Sequence, residues 1–222
     1  MGCEWNKHDR RIVLLLRHGD SRQDHLKRYV GHTDTLLNER GRAQAERLRQ
    51  ELMGISFAGY YCSTLQRSLE TARLIAGKKF DKVKQLPELC EISMGLWDGR
   101  SMDEVRCSFP EEYQRRGEDP AQHAAPGGET FAELQQRVVP AFYKILEENE
   151  GPLLIVGHAG VNRVLLAQLL DMPLENLFRL SQDYACLNIL VMEKGQFRLQ
   201  GLNLTTLTGC KSAVFAEPPS VS

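Results

Sequence analysis

A chain of 222 residues is long enough for one sizeable domain with its own buried core. Its formal net charge of −1 leaves no overall basic footprint, which argues against nucleic acid as a partner. At 42% hydrophobic and 26% charged, with no apolar run of membrane-spanning length and no signal-like stretch near its start, it reads as a globular cytoplasmic protein with no membrane partner.

Residues 1–10 form a polar leader. Met1-Gly2-Cys3-Glu4-Trp5-Asn6 opens like a myristoylation signal but has Asn6 where Ser or Thr is required, so an unlipidated start is expected. Ile12–Leu16 is a continuous apolar run, the pattern of a strand covered on both faces. It ends on Arg17-His18-Gly19. The polar residues 20–35 are long for a plain connection, which points to a functional loop. Asn38 to Met53 reads as a charged surface helix with Ala43, Leu48 and Leu52 on its apolar side. Tyr60–Cys62 is a short strand, and Ser63-Thr64-Leu65-Gln66 matches a capping box opening the next helix. Leu65, Leu69, Ala72 and Ala76 make that helix's stripe, and Gly77 ends it.

Lys82–Leu86 is a weak strand stopped by Pro87. Residues 90–128 are irregular and rich in Gly, Pro and charge, and 92–128 is expected to act as a lid-like segment. Thr130 to Asn149 is a long amphipathic helix, bent at Pro140. Leu153–Val156 is a second buried strand and Val161–Leu170 an apolar helix. Ala185–Met192 and Phe197–Leu202 form a hairpin around Lys194-Gly195. Residues 205–222 lose pattern and read as a disordered tail. Strands alternating with helices predict an α/β domain, 11–204, on a mostly parallel sheet. The six cysteines show no metal-ligand spacing, and reduced thiols are expected.

Four features converge on chemistry. Leu153–Val156 leads into Gly157-His158-Ala159-Gly160, so two buried strands each deliver a histidine beside a glycine at the C-terminal tip, the edge where open α/β sheets bind ligands. The helix that follows His158 offers free N–H groups to an anion. Arg67 falls in the first turn of the helix after Ser63, off its apolar stripe and so not on its interior face. Glu91 opens Glu91-Ile92-Ser93-Met94-Gly95-Leu96-Trp97-Asp98-Gly99, a tight loop in which a desolvated carboxyl would serve as general acid. Taken singly, these are equally a turn histidine, a solvated arginine and a surface glutamate.

Together, Arg17-His18-Gly19, Ser63-x-x-x-Arg67-x-x-x-Thr71-Ala72 and Gly157-His158 resemble the histidine phosphatase superfamily, with its phosphoglycerate-mutase-like fold. The resemblance implies a three-layer α/β/α sandwich around about six strands. It implies that His18 is the nucleophile that becomes phosphohistidine, that Arg17, Arg67 and His158 clamp the phosphoryl oxygens, and that Glu91 gives a proton to the leaving group. Gly19, Asp24, Arg28, Glu129, Thr130 and Ala159 are expected at the substrate. No metal or cofactor is implied, because the arginines and His158 supply the charge. The expected partner is a small phosphorylated substrate, and the expected assembly a monomer or homodimer.

Asp24 departs from the family pattern, which commonly has asparagine there; a carboxylate beside a phosphate must be paired, by Arg22 or Arg28. Glu91-x-x-x-Gly95-x-Trp97-x-Gly99 is similar to the phosphatase branch, and Tyr29-Val30-Gly31-His32-Thr33-Asp34 to a segment of α-ribazole phosphatases. A cofactor-dependent phosphoglycerate mutase and a non-catalytic phosphate-binding scaffold are the alternatives.

Overall fold

A computed structural model describes residues 10–207 and Phe215. Strand β1 (Arg11–Arg17) is buried as far as Leu16 and alternates between two cores. Val13 and Leu15 face one layer, while Ile12, Leu14 and Leu16 face the other, as the two-residue period of a strand requires. Helix α1 (Glu39–Glu51) is capped by Asn38, whose side chain accepts from the Gly41 N–H at 2.8 Å. Its buried side is Gly41, Ala45 and Leu48; Ala43, expected there, is exposed because 41, 45 and 48 share the inward face.

Strand β2 (Gly59–Cys62) leads to helix α2 (Gln66–Ala76). This helix is capped at Leu65 without a side-chain bond, so the expected Ser63 capping box does not form. Strand β3 (Val83–Gln85) follows. The segment 92–128 is more ordered than expected. Beyond a single turn at Gly95–Trp97 it holds helices α3 (Met102–Ser108) and α4 (Pro110–Glu118). Ser101 and Glu104 form a reciprocal capping box on α3, and Pro110 opens α4 at its first position.

Helix α5 (Phe131–Glu147) continues through Pro140, burying Leu134, Val138, Phe142 and Leu146. Strand β4 (Leu153–Gly157), helix α6 (Ala159–Leu169) and the hairpin of β5 (Leu187–Glu193) and β6 (Gln196–Leu204) complete the domain. The six-stranded sheet has the order β3-β2-β4-β1-β5-β6. Its first four strands are parallel, and β5 and β6 join antiparallel, giving the expected α/β three-layer sandwich with a mixed, mostly parallel sheet.

The leader expected over 1–10 and the tail expected over 205–222 lie mostly outside the described residues. Within the tail, Leu207 is buried against the α1 side of the sheet and Phe215 packs on the same core.

Candidate active site

Strands β1 and β4 are parallel neighbours in register, with Arg17 opposite Gly157. The His18 N–H donates to the Gly157 carbonyl at 3.1 Å. This bond ties one strand tip to the other and places the rings of His18 and His158 with centroids 5.1 Å apart. Both histidines are buried.

His18 Nδ1 lies 2.8 Å from the Gly19 carbonyl oxygen. A carbonyl only accepts, so Nδ1 carries the proton and Nε2 presents its lone pair. Burial, then the Arg17 and Arg67 guanidinium groups, hold this imidazole well below the ordinary histidine range. It is therefore a neutral base with one free nitrogen among fixed cations. His158 is held low in the same way, by burial, then Arg67 and His18. Its Nε2 meets Ser63 Oγ at 2.7 Å, and its Nδ1 is buried with no partner among the described residues.

Arg17 donates to the Gln182 carbonyl at 2.5 Å and lies 3.8 Å over the Tyr184 ring. Gln182 is itself held in a buried amide network. Asn162 donates to its Oε1 at 3.0 Å, and it donates to Asn188 Oδ1 at 2.8 Å.

Arg67 is 1% exposed, which corrects the expectation that it stands off the interior of α2. Its guanidinium is taken inward by two loop carbonyls, donating to Gly31 at 2.6 Å and to Thr33 at 2.8 Å. The loop is pinned in turn by Asp98, which accepts from the N–H groups of Gly31, His32 and Thr33 at 2.7–2.9 Å. Burial works against the Asp98 charge, but these donors outweigh it and hold the carboxyl below its usual range.

Glu91 is buried at the N-terminus of α6. Its two carboxylate oxygens accept from the Gly160 N–H at 3.1 and 3.2 Å. A Cβ at 160 would stand 2.4 Å from Glu91 Oε1, so any other residue there displaces the carboxylate. His32 Nε2 donates to the Glu91 backbone carbonyl at 2.8 Å and fixes the same turn. Glu91 and Gly160 line a cavity of about 380 Å³ whose other walls mix aromatic rings, aliphatic side chains and arginines.

Two histidines, two arginines and a carboxyl thus meet at the C-terminal edge of β1 and β4. A family profile described as the histidine phosphatase superfamily (branch 1) matches residues 13–205. The chain belongs to that superfamily.

Two curated relatives and one solved structure are similar along nearly their whole length. It is 34% identical to the Escherichia coli adenosylcobalamin/alpha-ribazole phosphatase over 86% of this chain and 95% of that protein. It is 30% identical to phosphoserine phosphatase 1 of Hydrogenobacter thermophilus over 89% of this chain and 94% of that one. The crystal structure of the alpha-ribazole phosphatase from Shigella flexneri superposes with a TM-score of 0.81 at 31% identity, covering 88% of this chain and 97% of that one. Family and side-chain cluster together support a histidine-phosphatase-type hydrolase acting on a small phosphorylated metabolite.

In this histidine phosphatase, several residues expected at the substrate have other partners. Asp24 is exposed and pairs with Arg28 at 2.7 Å, which resolves how its charge is matched. Arg22 pairs instead with Asp20, at 2.5 Å. Glu129 is bound by Arg137 at 2.7 Å, and Thr130 caps α5 by exchanging bonds with Glu133. Gly19 makes its close approach to the chain itself, since a Cβ there would lie 2.6 Å from the Gly41 carbonyl oxygen. Ala159 and Arg28 do line the cavity beside Glu91.

The sequence reading missed Ser63 as the partner of His158, Tyr184 as the platform under Arg17, and Asp98 as the loop clamp. Only Asp98 carried a signal, since it sits inside the Gly95–Gly99 turn that marked Glu91.

Proposed function

We propose that the chain is a phosphomonoester hydrolase working through phosphohistidine. The observation that carries this reading is the neutral His18, with Nε2 free beside Arg17, Arg67 and His158. Nε2 attacks phosphorus, the ester P–O bond breaks, and its electron pair leaves with the alcohol oxygen. Glu91 is the group that supplies the proton this oxygen takes. Water then attacks the phosphohistidine, gives a proton back to Glu91, and the P–N electron pair returns to Nε2 as orthophosphate forms. Arg17, Arg67 and His158 match the negative charge spread over the equatorial oxygens.

Arg28 and Ala159 border the leaving group, whereas Asp24 acts by holding Arg28, and Gly19, Glu129 and Thr130 act by fixing the segments around the site. The enzyme works without a metal, in the cytoplasm, as a monomer or homodimer. No helix among the described residues is long and apolar enough to cross a membrane. α-Ribazole 5′-phosphate is one member of the substrate class, favoured by likeness to the Escherichia coli and Shigella flexneri proteins. The Hydrogenobacter thermophilus relative, named for phosphoserine, marks the same chemistry on another leaving group.

The test is acid-labile, alkali-stable ³²P on the protein after a rapid quench with labelled ester. Label is expected on the native chain and absent from His18→Ala, and chelators should leave turnover intact. Turnover by a folded His18→Ala protein at the native rate would rule the mechanism out.

A further inference from the structure

The cavity beside Glu91 holds more positive charge than the phosphoryl group accounts for. Arg116 projects into it from α4 and Arg163 from α6. Arg116 is 9% exposed and donates to the His123 carbonyl at 2.9 Å. Its guanidinium carbon lies 5.3 Å from the Phe131 ring centroid. Arg163 donates through Nε to the Leu180 carbonyl at 2.9 Å and lies 5.2 Å over Phe178.

Neither arginine is ion-paired to a carboxylate among the described residues, unlike Arg22, Arg28 and Arg137 nearby. The only carboxylate lining the cavity is Glu91, and it is turned to the Gly160 N–H. Arg116 is buried and Arg163 half-buried, with Glu91 the one carboxylate whose charge acts on Arg163; a guanidinium held by neutral carbonyls keeps much of its desolvation cost, which an anionic partner would offset. The walls also include the rings of Tyr29, Trp97, Tyr113, Phe131 and Phe178, suited to an apolar or ring-shaped body.

We infer that the leaving group of the substrate carries a second anionic group, a carboxylate or a further phosphate, bound by Arg116 and Arg163. The inference rests on the hydrolase reading, since it places the alcohol portion of the ester beside Glu91. The guanidinium fork recognises either oxyacid through paired N–H donors. α-Ribazole has no such group, so its 5′-phosphate, although favoured by likeness to relatives, is expected to be a poorer substrate than an ester whose leaving group carries a second anion.

The experiment compares two isosteric esters, 4-carboxyphenyl phosphate and 4-carbamoylphenyl phosphate, on the full chain. They differ in one negative charge at nearly constant size. The wild type is expected to prefer the carboxylate at least tenfold in kcat/KM, with the preference shrinking as salt is raised. Arg116→Gln and Arg163→Gln should each pull that ratio toward one, and Arg116→Lys should restore part of it. A wild-type ratio of one or below overturns the inference without any variant. A high ratio that survives both substitutions overturns the assignment to these two residues. Phosphate release from neither ester, with no phosphoenzyme, sinks the hydrolase reading and this inference with it; release from both at equal efficiency sinks the inference alone.

Discussion

Ser63 Oγ and His158 Nε2 lie 2.7 Å apart, both buried, and the same oxygen accepts from the Leu65 N–H at 3.3 Å. The hydroxyl therefore orients a neutral ring whose Nδ1 is buried with no hydrogen-bond partner among the described residues. Ser63→Ala strips His158 of the hydroxyl on Nε2 and leaves a second buried ring nitrogen unsatisfied, a loss of about 1–3 kcal/mol. We expect kcat to fall about tenfold or more, Ser63→Thr to retain most of it, and the ¹⁵N shifts of the His158 ring to move in the alanine variant. Unmoved shifts with unchanged kcat would remove Ser63 from any positioning role.

Gly160 and Glu91 make a second close relationship. Gly160→Ala drives a methyl group into the Glu91 carboxylate, since the Cβ position is 2.4 Å from Oε1. The acid must move by about an ångström, a displacement worth ~10²-fold in rate. The loss should be greatest for esters of poor leaving groups, which need the proton most, and smallest for 4-nitrophenyl phosphate. An equal loss for both esters would argue against Glu91 as the proton donor.

The two buried histidines make stability depend on pH with a definite sign. Their folded-state affinity for protons lies well below the unfolded value near 6.5. Below that pH the unfolded chain takes up protons that the folded chain refuses, so stability is full above about 6.5 and falls as pH drops. Each histidine contributes a slope of about 1.4 kcal/mol per pH unit in this window. Urea titrations between pH 7 and 5 should show it, with the slope reduced in His18→Asn and again in the double variant with His158→Asn. A flat profile in the native chain would contradict the burial described for both rings.

Asp98 clamps the loop that receives Arg67. Asp98→Ala frees the N–H groups of Gly31, His32 and Thr33, at a cost of about 2 kcal/mol. For a domain of this size the melting temperature should drop by about 4–8 °C, readable by calorimetry. KM should rise more than kcat falls, because the reacting groups stay on the sheet while the loop around them loosens. A variant that melts like the native protein would show that the clamp contributes nothing.

How far the sequence was legible depends on where each signal resides. The buried strands Ile12–Leu16 and Leu153–Val156 were plain, because a run covered on both faces has no other economical fold. The two histidine tips followed directly. The capping boxes were less reliable. Ser63-x-x-Gln66 matches the pattern, yet its hydroxyl goes to His158 and the helix begins at Gln66. Ser101-x-x-Glu104 and Thr130-x-x-Glu133 match it equally and do cap. A local pattern offers a hydroxyl; tertiary structure decides what receives it. The inward turn of Arg67 was hidden for the same reason, since its acceptors are carbonyls more than thirty residues away in sequence. Tyr184 gave no sign at all, because a ring becomes a platform only once the strand tip beneath Arg17 has been built.

The parallel register of β1 and β4 fixes the pair of histidines at their tips in a way the surrounding loops do not. A slip of one residue would move a tip by about 3.3 Å and turn its side chains to the opposite face. Such a slip would also bury the wrong half of both strands, so it is resisted by the whole core. By contrast, residues 92–128 and the loop around Gly31 meet the pair through a few clamps and rings. Substitutions there can reshape the cavity without disturbing the distance between the histidines. The chain keeps its chemistry in the sheet and its choice of molecule in the periphery, so a descendant with a new substrate needs to rewrite only the latter.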